Sequence, residues 1–373
     1  MVSKPHGGKI VEIPEIHRES GNDGTTIDVD AGVASTVQLI RTGVYSPVEG
    51  FTGSEDLGSI LSEQRLSNGI PWSVPLMLDS DRVTAKPGDY VFLRFRNRII
   101  AEVKVEELLP YNKKETSKAI FGTLSPDHPG VRAMELRKDH LISGKLVCAA
   151  DPRLPFGEYF RTPGETRKLF AEYGWKTISA FQTRNVPHLG HEFLQKSAMI
   201  RTDGLFINPV IGKKKPGDFA DDLIISTYSH LIRDYFPQNR VVLSTVNYEM
   251  QYAGPREALM HAIMRKNFGC THFIMGRDHA GVGEFYGPYD AQRNVMQFED
   301  LGIEVLPFEE AYYCSKCGWI TVSGSCPHGG NDIQKFSATM IRSSLSNGRK
   351  QPRNIIRNDI WNMICDHPSP MVT

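Results

Sequence analysis

Between Thr177 and Phe308 the chain alternates apolar runs of strand length with amphipathic runs of helix length. That alternation restricts the fold more than any other feature. Strand candidates occupy Thr177–Phe181, Gly204–Ile211, Arg240–Val246, Thr271–Gly276 and Ile303–Phe308. Helix candidates lie between them at Glu192–Arg201, Asp218–Tyr235, Arg256–Asn267 and Tyr289–Leu301. Such a sequence of elements gives a parallel α/β sheet covered on both faces, because each helix carries the chain back to the same end of the sheet. Pro255 suits the first turn of the third helix, where its missing N–H costs nothing.

In a sheet of this kind ligands bind beyond the carboxyl ends of strands, where the strand order reverses. If the order is 3-2-1-4-5, the first and fourth strands flank that reversal. The two unusual loops of the chain follow those strands. Gln182-Thr183-Arg184-Asn185-Val186-Pro187-His188-Leu189-Gly190-His191 follows the first, and Gly276-Arg277-Asp278-His279-Ala280-Gly281 follows the fourth.

The first loop ends in His-x-Gly-His. This spacing is expected to place two imidazoles on one face of a helix's first turn, at the end whose free N–H groups favour an anion. His188 and His191 lack the His-Glu-x-x-His spacing of a metalloprotease, and no Ser or Cys partner marks a nucleophilic dyad. Donation to a phosphoryl group fits best, since transfer at phosphorus needs positioning and donors where charge builds up. Arg184 adds a planar fork suited to a tetrahedral oxyanion, and Gln182 and Asn185 add neutral donors. In the second loop, Arg277 and His279 are donors and Asp278 is an acceptor. Neither a dinucleotide fingerprint nor a P-loop occurs. Ser337–Arg342 reads as a capped helix start with an arginine one turn on.

Residues 1–150 read as a mixed, mostly β domain with no catalytic spacing. A hairpin is expected from Tyr90–Phe95 to Arg98–Val105 through Arg96-Asn97, and a short helix at Asp56–Gln64. Asp151-Pro152-Arg153-Leu154-Pro155 resembles a linker. The catalytic α/β domain is assigned to 151–310 and a smaller C-terminal region to 311–373, with a last helix near Ile355–Cys365. That region carries Cys314-x-x-Cys317, Cys326 and His328, a Cys3His set with the makeup of a closed structural zinc site. Cys148, Cys270 and Cys365 read as single buried thiols.

Three of the six cysteines crowd into this cluster, so a reducing cytoplasm is expected rather than a disulfide framework. The N-terminus shows no apolar leader and no run is long enough to span a membrane. Lys+Arg and Asp+Glu balance at 43 each, which weighs against nucleic acid as the main partner, although Lys213–Lys215 and Arg349-Lys350 form local basic clusters.

Gln182-Thr183-Arg184-Asn185-x-x-His188-x-x-His191 and Gly276–Gly281 together resemble the two signatures of the ATP sulfurylases. Pro5-His6-Gly7-Gly8, Lys215-Pro216-Gly217-Asp218, Tyr252–Ala258 and Ser337-Ala338-Thr339-x-x-Arg342 agree. The resemblance spans essentially the whole chain. It implies a central nucleotidylyltransferase-type (Rossmann-like) parallel sheet, a PUA-like β-rich N-terminal domain and a zinc-containing C-terminal region. It implies that ATP and sulfate give adenosine 5′-phosphosulfate and pyrophosphate, with Mg²⁺ on the nucleotide and structural Zn²⁺ held by Cys314, Cys317, Cys326 and His328.

By the same resemblance, Gln182, Arg184 and the Ala280 backbone would hold sulfate. Thr183, Arg184, Asn185, His188 and His191 would be catalytic. Gln182, Thr183, Asn185, His188, His191 and Gly276, Arg277, Asp278 and His279 would bind ATP. A homodimer, or a larger homo-oligomer, is the family expectation, and the missing P-loop leads us to expect no fused kinase module. Two departures stand out: Val186-Pro187 where the family usually has Pro directly after Asn, and Gln251 where many members have Arg. Two alternatives remain open on sequence: adenylylation of another acceptor, which His-x-Gly-His alone permits, and a zinc-stapled nucleic-acid-binding protein.

Overall fold

The computed structural model describes residues 2–16, 25–80, 85–346, 348, 351 and 353–372. The chain first builds a mixed sheet from β1 (Thr25–Asp28), β2 (Gly50–Phe51), β3 (Asp79–Ser80), β4 (Tyr90–Phe95), β5 (Arg98–Pro110) and β6 (His140–Ala149). Interleaved with them are α1 (Ala31–Arg41), α2 (Ser54–Glu63), α3 (Lys113–Phe121) and α4 (Pro129–Glu135). The strand order is β1-β4-β5-β6-β2, with β3 beside β6. The expected hairpin joins β4 to β5. Arg96 and Asn97 carry φ of 48° and 61°, the paired left-handed residues that a tight hairpin turn needs. Four helices exceed the sequence expectation of one. The polar run Lys113–Phe121 becomes helical because Asn112 accepts the Lys114 and Glu115 N–H groups at its start.

The second part runs α5 (Pro163–Glu172), β7 (Ile178–Thr183), α6 (Leu189–Met199), β8 (Gly204–Ile211), α7 (Asp221–Tyr235), β9 (Val241–Leu243), β10 (Val246–Asn247), α8 (Pro255–Asn267), β11 (His272–Met275), α9 (Asp290–Met296) and β12 (Glu304–Pro307). All their pairings are parallel, in the order β10-β8-β7-β11-β12, with β9 also on β8. This is the 3-2-1-4-5 arrangement, with β7 and β11 adjacent at the reversal. The third strand splits into β9 and β10 because Thr245 donates its N–H to Tyr159 instead of continuing the ladder. The expected helix Tyr289–Leu301 is interrupted after Met296, and Glu299–Leu301 forms a separate short turn ended by left-handed Gly302.

A small antiparallel sheet follows, in the order β14-β13-β15, from β13 (Ala311–Cys314), β14 (Trp319–Val322) and β15 (Ile333–Lys335). Then α10 (Ala338–Ser346) and α11 (Asn358–Asp366) return to the central sheet. Ile341, Leu345, Ile360, Trp361 and Ile364 pack there with Phe181, Leu205 and Leu223.

The opposite face of the central sheet shares one continuous core with the N-terminal sheet. Val37, Trp72, Leu93 and Val103 belong to the same cluster as Phe206, Met260, Ile263 and Phe273. Helix α8 lies in this shared core and is buried nearly all round, as a helix between two layers must be. Cys270 is fully buried as expected, but Cys148 and Cys365 are only half-buried. Cys148 lies on strand β6 beside the half-buried Glu102, whose carboxylate accepts its S–H at 3.4 Å.

A shared core predicts joint unfolding. Met260→Ala should cost about 2–5 kcal/mol and lower the denaturant midpoint read at Trp72 and at Trp175 together. Two separated midpoints would show that the two sheets are independently stable.

Candidate active site

The carboxyl end of β7 is shaped by its own side chains. The Thr183 hydroxyl accepts the Asn185 N–H at 3.1 Å and donates to the Asn185 carbonyl at 3.2 Å, which turns the chain out of the strand. Val186 is fully buried in the core beneath the loop. Val186, standing where the family usually has proline, therefore anchors the loop, and the spacing from Gln182 to both histidines is kept.

Helix α6 begins at Leu189, three residues before the expected start. His188 is its N-cap, not a residue of the first turn. The start is fixed from outside, because Leu189 donates its N–H to the Ile355 carbonyl at 2.8 Å. The His188 Nδ1 accepts the His191 N–H at 3.1 Å, so in the neutral ring the proton sits on Nε2. The two imidazoles stack with centroids 3.6 Å apart, and Phe336 covers His188 in a parallel plane at 5.5 Å. The Tyr228 hydroxyl lies 3.5 Å from His191 Nδ1.

Burial pushes both imidazoles down; the neighbouring His191 lowers His188 further, while a hydrogen bond to the Val186 backbone partly offsets the shift at His191. His188 falls well below its ordinary value and His191 to about 4. Without ligand the pair is neutral: it offers N–H donors, not cations. The formal positive charge comes from elsewhere. Arg184 donates to the Tyr252 hydroxyl at 2.6 Å, and its guanidinium lies 4.8 Å from that ring's centroid. The Lys215 ammonium lies 5.5 Å from the same centroid. Arg342, from α10, donates to Asn185 Oδ1 at 2.9 Å and approaches Asp218 at 3.3 Å. With its oxygen taken, the Asn185 amide keeps its N–H groups for a ligand. The buried Gln182 Oε1 has no protein partner, so this amide too is left for something the chain does not supply.

Across the reversal, the loop after β11 has Asp278 and Ala280 in left-handed conformations, φ 58° and 57°, a type of strain that clusters at functional sites. The Ala280 carbonyl accepts the Gly254 N–H at 3.1 Å, which ties this loop to the Tyr252 turn. His279 turns inward, with Nε2 3.1 Å from His261 Nδ1, and burial followed by the Arg265 charge pushes it down to about 3. Arg277 is exposed and reaches Glu310 at 3.4 Å.

Lys215, Tyr252 and Arg342 were not among the sequence-predicted site residues. Lys215 and Arg342 stand in stretches that had matched the family pattern, but nothing local distinguished them from surface cations. Lys213 and Lys214 are paired with Glu249 and Asp221, so this basic run is not an open anionic-polymer surface. Arg349-Lys350 lies outside the described residues.

Cys314, Cys317, Cys326 and His328 converge in the small sheet. The Sγ atoms of Cys314 and Cys317 lie 3.7 and 3.6 Å from Cys326 Sγ, and His328 Nδ1 is 3.4–3.5 Å from all three. These are the edges of a tetrahedron, close to the ~3.6–3.8 Å that zinc–ligand bonds of about 2.0–2.3 Å would give. The sulfurs are too far apart for a disulfide.

A parallel sheet with histidines at the start of the first crossover helix, facing cations at the strand-order reversal, defines a nucleotidyltransferase. The ATP-sulfurylase family model matches residues 157–367 and the PUA-like domain model residues 3–151. The sulfate adenylyltransferases of Hyperthermus butylicus and Thermococcus onnurineus are 47% and 45% identical, covering 100% of this chain and 98% and 100% of their own. That of Chloroflexus aurantiacus is 43% identical, covering 96% of this chain and 95% of its own. The solved hexameric APS kinase from Thiobacillus denitrificans shares the fold, with TM-score 0.76 at 22% identity over 98% of this chain and 68% of that one. The chain belongs to the ATP-sulfurylase family.

One buried and two half-buried histidines predict a pH dependence. His6, His191 and His279 are lowered by burial to about 4, 4 and 3 from an ordinary 6.5. The unfolded chain therefore binds more protons than the folded one below pH ~6.5, and stability falls as pH falls from there towards 4. Melting temperature measured from pH 8 to 4 should be flat at first and then drop; a flat profile throughout would mean these rings are not buried neutral.

Proposed function

We propose that the chain is a sulfate adenylyltransferase acting by direct in-line transfer. A sulfate oxygen attacks the α-phosphorus of ATP. The new S–O–P bridge forms as the bond to the β-phosphate oxygen breaks, giving adenosine 5′-phosphosulfate and pyrophosphate. The observation that carries this reading is the grouping of Arg184, Lys215 and Arg342 at one strand end. Among the described residues Asp218 is the one carboxylate paired with any of the three. That excess of positive charge suits two polyanions brought together.

In this reading Gln182, Arg184 and the Ala280 backbone hold sulfate. Asn185, oriented by Arg342, donates to the phosphates together with the Nε2–H of His188 and with His191. Thr183 acts through its backbone and through the turn it closes. Gly276, Arg277, Asp278 and His279 line the nucleotide. As negative charge shifts to the leaving pyrophosphate, Arg342 and Lys215 are placed to meet it. Mg²⁺ bound with the nucleotide would supply further neutralisation of phosphate charge. Zinc held by Cys314, Cys317, Cys326 and His328 would be structural, since four protein ligands fill its shell.

We further assign the chain to the cytoplasm as a homodimer, without nucleic-acid or membrane partners. Among the described residues no helix is long and apolar enough to cross a membrane.

Purified protein given adenosine 5′-phosphosulfate, pyrophosphate and Mg²⁺ should make ATP, and molybdate should compete with sulfate in the forward direction. Failure of both would overturn the acceptor assignment. His188→Ala should lose about 10²–10³ in turnover. Metal analysis should find one zinc per chain, and strong chelation should lower the melting temperature; full removal without a shift would mean the cluster adds nothing to the fold.

A further inference from the structure

The N-terminal domain has no assigned role in the reaction, yet one of its side chains touches the site's framework. His128 caps α4 and is fully buried. Its Nδ1 accepts the Gly130 N–H at 3.1 Å. The ring proton therefore sits on Nε2, and Nε2 lies 3.1 Å from both the Tyr252 carbonyl and the Tyr286 hydroxyl. Tyr286 donates its own proton to the Phe121 carbonyl at 3.1 Å, so both groups facing Nε2 are acceptors. Phe121 and Phe285 pack against the His128 ring at 4.9 Å and fix its plane.

Tyr252 itself is in an unusual state. Its φ is 60°, a left-handed conformation that a bulky residue keeps only when its surroundings impose it. The surroundings grip the turn from two sides. Buried Glu257 accepts the Gln251 N–H at 2.8 Å on one carboxylate oxygen and the Ala253 N–H at 3.0 Å on the other. His128 takes the carbonyl between them. The product of this grip is the position of the Tyr252 hydroxyl and ring, which hold Arg184.

We propose that His128 is a positioning residue for the oxyanion subsite. With Glu257 it locks the Tyr252 turn, and Tyr252 in turn sets the Arg184 guanidinium in its productive place. The N-terminal domain is thus a working part of sulfate recognition, through one imidazole at the start of α4. The proposal rests on the reading that Arg184 holds sulfate. It also explains why Gln251 serves at its position: the Gln251 contact that fixes the turn is made by its backbone N–H.

The test uses full-length variants assayed with ATP and sulfate. His128→Asn keeps a competent helix cap and loses the long-reaching donor. It should raise the KM for sulfate about tenfold, the worth of roughly one hydrogen bond, with the KM for ATP and the melting temperature nearly unchanged. His128→Gln, whose amide nitrogen extends to the Nε2 position, should recover most of the loss. Tyr252→Phe should also raise the sulfate KM. Combined with His128→Asn it should do no more than the larger single effect, because both cut one chain of contacts.

Equal rises in both KM values, a lowered melting temperature with unchanged sulfate KM, or multiplying effects in the double variant would each overturn the proposal. Arg184→Ala separates the two levels. If it leaves the sulfate KM unchanged, the Arg184 reading falls and this proposal with it. If it raises the sulfate KM while His128→Asn does not, His128 alone is dismissed.

Discussion

The burial of α8 between two sheets is the constraint on which the rest of this structure depends. A helix exposed to no solvent must find partners for every polar side chain it carries, and α8 carries Glu257, His261, Arg265 and Lys266. Each is expensive to bury. Glu257 meets the cost with two backbone N–H groups, and burial still raises its carboxyl to about 7. His261 faces His279. Arg265 reaches the carbonyls of His261 and Asn208 at 3.4 Å and is lowered to about 9 by its burial. Glu257 thereby pins the Tyr252 turn and His261 the loop after β11, while Arg265 ties α8 to strand β8. The polar residues of the core thus orient the site from below.

That arrangement also determines which groups carry charge. The stacked histidines are neutral because they are shielded from water by each other and by Phe336. The cations stand further out, on longer side chains and on rings that a guanidinium or ammonium can rest against. In the proposed reaction the neutral imidazole N–H groups would donate to phosphate oxygens, and the cations further out would attract and neutralise the polyanions. An incoming phosphate would favour the protonated ring, so binding would raise the low histidine values that burial sets.

The central sheet was legible in the sequence because its signal is local: five apolar runs, four amphipathic ones, and loops of unusual composition after the first and fourth strands. The strand order 3-2-1-4-5 entered the sequence reading only as a condition, and the structure has that order. What was not legible depends on contacts between distant segments. The α6 start moved to Leu189 because of Ile355. Lys215 and Arg342 look like surface cations until Tyr252 and Asn185 are placed beside them. His128 sits in a stretch with no catalytic spacing, and its meaning comes from Tyr252, 124 residues away. Cys148 and Cys365 read as buried because cysteine usually is, whereas strand alternation and a helix face decide exposure at those positions.

The cysteine cluster belongs to the same logic of indirect support. β13 ends at Cys314 and pairs with β15, and the residue following β15 is Phe336. Phe336 stacks on His188, and two residues later α10 begins and brings Arg342 to Asn185. A metal held by these four residues, as proposed, would fix the register of a small sheet that would be marginal alone. That register decides where an aromatic lid and a cation meet the catalytic loop. Placed so, the cluster needs no contact with a substrate to matter to the reaction, just as His128 needs none on the opposite side of the site. The two supports lie on opposite sides of the site and add to the bonds by which the loop Gln182–His191 shapes itself.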